Sequence, residues 1–279
     1  MTYHSRMTGE LDTLALHCSG ASGRQWRRLQ EHGSGAIRVI APDLYGASAV
    51  GTWPDQWPAH WHGQHAFSLA DEAERILSLP ELGDCRVHLV GHSYGGGVAL
   101  KIAATVPERI ASLSLYEPSA FHLLHVLGPR GRAAFGDIGR IARAVADGLV
   151  TGDYAAAAQA FVDYWNGPGS WAAMKPEIQA DMVRYVPKAC LDFRALFEED
   201  TAAAAYRAFR FPVLVMRGEF APAPTRVVAE GLVDLIPGAT SAMIAGAGHM
   251  GPFTHAQTVN EHILAHIGEA AGTRELEAA

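Results

Sequence analysis

Residues 91–95 read Gly91-His92-Ser93-Tyr94-Gly95. An apolar run, RVHLV, leads in, and a stretch rich in Ala, Val and Leu leads out. Between a strand and a helix, G-x-S-x-G makes a turn so tight that its serine is strained and its hydroxyl stands clear of the sheet. The small neighbours Gly91, Gly95 and Gly96 let strand and helix approach. The hydroxyl then lies at a helix N-terminus, which favours developing negative charge. A serine is a poor nucleophile until a base takes its proton. Residues 246–252, Gly246-Ala247-Gly248-His249-Met250-Gly251-Pro252, offer a histidine on a glycine-rich turn. Imidazole suits the task because its ordinary pKa is about 6.5. Ser93 is thus the candidate nucleophile and His249 its candidate general base.

An acyl-transfer site also needs backbone donors for the oxyanion. Residues 17–23, His17-Cys18-Ser19-Gly20-Ala21-Ser22-Gly23, form a loop after the first strong apolar strand. The expected donors are the N–H groups of Ser19 and of Tyr94, the residue after the nucleophile. Asp43, in a D-x-x-G turn, reads as structural. Trp53, Trp57, His60, Trp61, His62 and His65 crowd one segment. The His spacing makes a metal site the lesser reading, with Asp55 the one carboxylate and no cysteine in the segment; a packed loop is the expectation and no metal is implied.

The elements that position these residues follow from pattern. Strands are expected at residues 12–17, 36–41, 86–92, 111–116, 212–217 and 240–245. Several are nearly continuous apolar runs, as in parallel strands covered on both faces. Helices are expected at 68–79, opening with SLAD, at 94–106 and at 254–267. Such alternation predicts a mostly parallel open sheet flanked by helices. From Pro118 to Pro212 no strand is expected. Residues 138–149 carry Ile138, Ile141, Val145 and Leu149 on one helical face. A second helix spans 154–165, between Asp153 and Asn166-Gly167-Pro168. Pro176 can open a third and Pro187 close it. The expected domains are a core of residues 1–118 and 210–279 and a helical cap of 119–209, inserted after the strand ending near Tyr116. Phe161, Trp165 and Trp171 either line its pocket or fill its core. The tail, GEAAGTRELEAA, is expected to fray.

The motifs HCSG (17–20), PDLYG (42–46), GHSYGG (91–96) and GAGHMGP (246–252) make the chain resemble the α/β-hydrolase fold superfamily, whose serine esterases and lipases carry such motifs in this order. The resemblance covers essentially the whole length and implies Ser–acid–His catalysis. Two departures stand out. Cys18 replaces the usual glycine of the first motif. Ala221 occupies the position where many relatives carry the acid, in the turn Gly218-Glu219-Phe220-Ala221. Some relatives place the acid at the end of the strand here ending Tyr116-Glu117-Pro118. Glu117 is therefore assigned as the acid, with Glu219 the rival.

Composition narrows the field. Of 279 residues, 49% are hydrophobic and 18% charged, which suits a folded globular chain and not a disordered one. The net charge of −7 and the lack of a basic run argue against a nucleic-acid partner. Arg130, Arg132, Arg140 and Arg143 are diluted by Asp137 and Asp147 and read as a solvated helix face, with an anion-attracting rim the lesser alternative. The cysteines Cys18, Cys85 and Cys190 form no CxxC pair, which fits a reduced, cytoplasmic setting. No signal peptide or membrane span is evident. The expected function is hydrolysis of a small, partly apolar ester, amide or lactone, without metal or organic cofactor. The alternatives are a lyase or cofactor-free oxygenase of the same fold, or a binding protein with a degraded triad. A short segment precedes the first strand, so an exposed sheet edge leaves a homo-oligomer open.

Overall fold

The apolar runs become six strands: β1 (Leu11–Leu16), β2 (Ile37–Ile40), β3 (Val87–His92), β4 (Ile110–Tyr116), β5 (Val213–Gly218) and β6 (Thr240–Ile244). They pair in the order β2-β1-β3-β4-β5-β6, and every pairing is parallel. The computed structural model describes residues 11–47 and 66–278, with side chains as far as residue 272. The Trp/His-rich segment 53–65 lies outside the described residues.

The strands are joined by α1 (Arg27–His32), α2 (Leu69–Leu77) and α3 (Tyr94–Thr105). Between β4 and β5 come α4 (Gly128–Thr151), α5 (Tyr154–Asn166), α6 (Ser170–Ala173), α7 (Pro176–Phe197) and α8 (Ala203–Arg207), with no strand among them. α9 (Ala223–Leu235), α10 (Gly251–Thr254) and α11 (Ala256–Ala278) complete the chain. Alternate strand residues feed two cores, as a pleated sheet requires. Leu14, Leu16, Leu89, Leu113 and Leu115 pack with Val98 and Leu100 of α3. Ala15, Val90, Tyr116 and Met216 pack with Val259 and Ile263 of α11. β3 and β4 are buried along their whole lengths.

Three expectations are corrected. The helix expected at 138–149 begins ten residues earlier, at Gly128, with Pro129 in its first turn, where a missing N–H costs nothing. Pro187 does not close its helix; α7 runs through it. An internal proline lacks a donor and crowds the carbonyl four residues back, costing about 3 kcal/mol. Burial of Tyr185, Val186, Lys188 and Ala189 on either side holds the helix together. The tail does not fray at its start, since α11 continues to Ala278. Among the described residues no helix is long and apolar enough to cross a membrane.

The strand order fixes where a site can form. β1 has β2 on one side and β3 on the other, so the winding reverses between β1 and β3. Ligands of open α/β sheets bind outside the carboxyl ends of the strands at such a switch point. The loop after β1 carries Ser19, and the turn after β3 carries Ser93.

Candidate active site

Ser93 has φ 55° and ψ −120°, a conformation that only a tightly held turn keeps a non-glycine residue in. Its N–H donates to Tyr116 O (3.1 Å), and its own carbonyl accepts from Ser119 N–H (3.0 Å). A Cβ on Gly95 would stand 2.4 Å from His17 O, so α3 can lie this close to β1 only with glycine there. Ser93 Oγ lies 2.9 Å from His249 Nε2, and His249 Nδ1 lies 2.8 Å from Glu117 Oε2. All three residues are buried, Glu117 completely.

Glu117 follows β4 at φ 41°, the other non-glycine residue with positive φ among those described. Its N–H donates to Met216 O (2.9 Å), which continues the ladder to β5 while the backbone turns. Gly218 N–H donates to Oε1 (2.9 Å) and the Thr225 hydroxyl to Oε2 (2.7 Å). With Oε2 also accepting from His249 Nδ1–H, Nε2 is left free to accept the Ser93 proton. Ala221 is buried and gives its N–H to Gly218 O. The rival, Glu219, turns away from the imidazole and accepts Gly246 N–H at 2.8 Å, fastening the glycine turn that carries His249. The departure at Ala221 therefore leaves no gap: the carboxylate facing His249 comes from β4.

Ser19 and Ser93 line one cavity of about 230 Å³. Tyr94 is the first residue of α3, so its N–H has no preceding turn to bond. Ser19 is held by its hydroxyl, which donates to Asp192 Oδ2 at 2.7 Å. Asp43 accepts Gly23 N–H at 2.7 Å, the structural task expected of it. Of the insertion's aromatic residues, Phe161 and Trp165 line the cavity, with Phe121, Phe193 and Phe253. The Trp165 ring lies 4.3 Å from that of His249 at 33°, walling the imidazole on one face. Trp171 packs against the core instead. Arg130 and Arg140 pair with Glu230 and Asp137 on the surface, the solvated face expected of them.

Two histidines escaped sequence reasoning. Cys18 N–H donates to Gln25 Oε1 (3.1 Å), Gln25 Nε2 lies 3.1 Å from His92 Nδ1, and His92 Nε2 lies 2.9 Å from His249 O. This relay ties the loop after β1 to the turn of His249. It requires neutral His92, protonated on Nε2, and burial holds its pKa well below the ordinary value. His17 Nδ1–H donates to Cys18 O (2.8 Å) while Nε2 accepts Leu44 N–H (2.9 Å); burial lowers its pKa to about 4. His92 occupies the variable place of G-x-S-x-G, and nothing in spacing distinguishes a support there from a spectator. Among the described residues no group of three His, Cys, Asp or Glu is placed to hold a metal ion.

A parallel sheet with a strained serine after β3, an imidazole on it and a carboxylate behind is the layout of the α/β-hydrolase class of proteins. The profile of the alpha/beta hydrolase fold matches residues 14–256, and the chain belongs to that family. It is similar to lipase LipV of Mycobacterium tuberculosis, 31% identical over 171 residues, which are 61% of this chain and 55% of the relative. The match thus spans about half the length of that relative. Among solved structures, a hydrolase from Oleispira antarctica superposes with TM-score 0.72 at 18% identity, covering 93% of this chain and 92% of the other. A thermophilic esterase from Thermogutta terrifontis superposes with TM-score 0.63 at 20% identity, covering 94% and 92%. At these identities the superpositions establish the fold.

Proposed function

We propose that the protein is a serine hydrolase that cleaves a small, partly apolar ester through an acyl-enzyme on Ser93. The observation that carries this reading is the unbroken line Ser93 Oγ–His249 Nε2, His249 Nδ1–Glu117 Oε2. Ser93 attacks the carbonyl carbon as His249 takes its proton. Glu117 holds the tautomer and stabilises the imidazolium. The N–H groups of Ser19 and Tyr94 receive the oxyanion. His249 then protonates the leaving alcohol, and water, deprotonated by the same imidazole, releases the acid.

The cavity supports an apolar substrate of modest size. Its walls are mostly apolar, with four Phe, three Met and Trp165 among them, and its polar side chains are those of Ser19, Ser93, Ser119, Asn166, Asp192 and His249. Helices α5 and α7 supply much of that wall, so we read residues 119–209 as a cap over the sheet's edge. The likeness to a lipase and an esterase favours an ester over the amide or lactone.

A fluorophosphonate probe tests the reading directly. Intact mass should show one adduct per chain, and peptide mapping should place it on Ser93. Ser93→Ala should take none, and His249→Ala should label at least about 100-fold more slowly. A folded wild-type protein that takes up no probe would sink the proposal.

A further inference from the structure

We propose that Asp192, with Lys188 beside it, is a positioning residue that holds the loop of Ser19 in register with Tyr94, so that both N–H groups meet one oxyanion. The inference rests on the acyl-transfer reading above. Asp192 lies on α7 and is 2% exposed. Its carboxylate accepts from the Ser19 hydroxyl at 2.7 Å, from the Tyr185 hydroxyl and from the Lys188 ammonium. Lys188 Nζ also lies 3.3 Å from Glu72 Oε1 and 3.4 Å from the Tyr94 hydroxyl, which itself donates to Glu72 at 3.2 Å. The ammonium stands 4.5 Å over the Tyr94 ring. One buried cluster therefore grips the side chains of both candidate donors, one after β1 and one after β3.

The two donors do not need this grip equally. Tyr94 N–H is aimed by α3 itself. Ser19 sits in neither helix nor strand, and its neighbour Gly20 has φ 71°. Side-chain bonds hold this stretch, His17 Nδ1–H to Cys18 O, Cys18 N–H to Gln25 and Ser19 Oγ to Asp192, and the last of them is made by Ser19 itself. Burying an ion pair is a costly way to join helices, and apolar packing does that more cheaply. What apolar packing cannot supply is a directional acceptor for the Ser19 hydroxyl. Lys188 pairs with that acceptor and fixes it in place, and Gly46 makes room for the lysine: a Cβ there would meet Lys188 Cγ at 2.7 Å. Burial pushes the Glu72 carboxyl up and the Tyr94 and Tyr185 hydroxyls well up, so both phenols remain donors at neutral pH.

The test is steady-state hydrolysis of a short-chain p-nitrophenyl ester by Ser19→Ala, Asp192→Asn and the double variant. Losing an oxyanion donor outright costs about 100- to 1000-fold in kcat, so a misplaced one should cost about 10- to 100-fold. Each single variant should lower kcat by that factor and leave KM within about twofold. The double variant should be no slower than the slower single one, because both cut the same link. A trifluoromethyl ketone, which adds to Ser93 as a tetrahedral oxyanion, should lose affinity by the factor lost from kcat. Lys101→Gln is the control, because Lys101 also ties α3 to the insertion, through Glu199 (2.9 Å) and Asp200 (3.2 Å), without reaching Ser19. It should lower Tm and spare kcat. Multiplicative losses in the double variant, a rise in KM alone, or an equal kcat loss in Lys101→Gln would each overturn the inference. Should Asp192→Asn fail to fold, Ser19→Ala with the ketone decides. Wild-type protein that labels with fluorophosphonate while Ser19→Ala keeps full kcat overturns this inference alone; wild type that neither labels nor hydrolyses overturns the serine-hydrolase reading with it.

Discussion

At the scale of the residue, the informative question is which carboxylate addresses His249. Ser93 and His249 were legible because each sits in a motif whose glycines have a mechanical reason. Glu117 was legible only through the resemblance to relatives that place their acid at the end of this strand, since nothing local marks a glutamate before a proline as special. What could not be read is its environment: Gly218 N–H and the Thr225 hydroxyl come from the far side of the insertion, about a hundred residues away in sequence. Three donors meet its two oxygens, and an amide could serve them only by turning an NH₂ toward at least one. Glu117→Gln should therefore lower kcat about 1000-fold or more, with the protein still folded. Glu219→Gln should stay within about threefold of wild type, because an amide oxygen can still accept Gly246 N–H. Equal losses in the two variants, measured on one ester, would remove Glu117 from the role. Ser119 shows what sequence cannot reach: its hydroxyl lies 3.3 Å from that of Ser93, yet no pattern announces it.

At the scale of the element, the strands were readable because a buried parallel strand is a short apolar run, and every expected strand appears within a residue or so of its place. Helix limits inside the insertion were not, because they depend on what packs against them. Pro187 is the clearest instance: local chemistry says stop, while burial on both sides says continue. The approach of α3 to β1 shows the opposite case, in which a local residue does decide. Gly95 faces Leu16 O and His17 O, backbone atoms that cannot yield as a side chain could. Gly95→Ala must push α3 off β1 or distort the turn. The expected loss is about 3 kcal/mol or more of stability, read from the urea midpoint. Residual folded protein should label slowly at Ser93, since the hydroxyl moves with the helix. A loss below about 1 kcal/mol would mean that α3 and β1 have slack the structure does not show.

At the scale of the whole molecule, buried neutral histidines set how the fold answers to acid. Composition reveals fourteen histidines but not their burial, so no pH dependence was readable from sequence. His17 and His122 are held down to about 4, His92 well below its ordinary value and His266 below it, each chiefly by burial. In the unfolded chain these imidazoles titrate at about 6.5. Between about 6.5 and about 4 the unfolded state therefore binds more protons, and stability falls as pH falls through that window. Above it these groups add no slope; below about 4 His17 and His122 are protonated in both states and their share is fully lost. For His17 the cost is roughly 3 kcal/mol, because a proton on Nε2 must displace the Leu44 N–H. Glu72 works the other way: its raised pKa makes the folded state the better proton acceptor, which offsets part of the loss. The urea midpoint should be flat from pH 8 to 7 and should fall steeply between pH 6.5 and 4.5. His17→Gln keeps an amide donor for Cys18 O and an oxygen for Leu44 N–H, and it removes the titration. It should flatten the slope while costing little at pH 8. A midpoint that does not move across the window, or a slope that His17→Gln leaves intact, would show that the acid sensitivity of the fold lies elsewhere than in these rings.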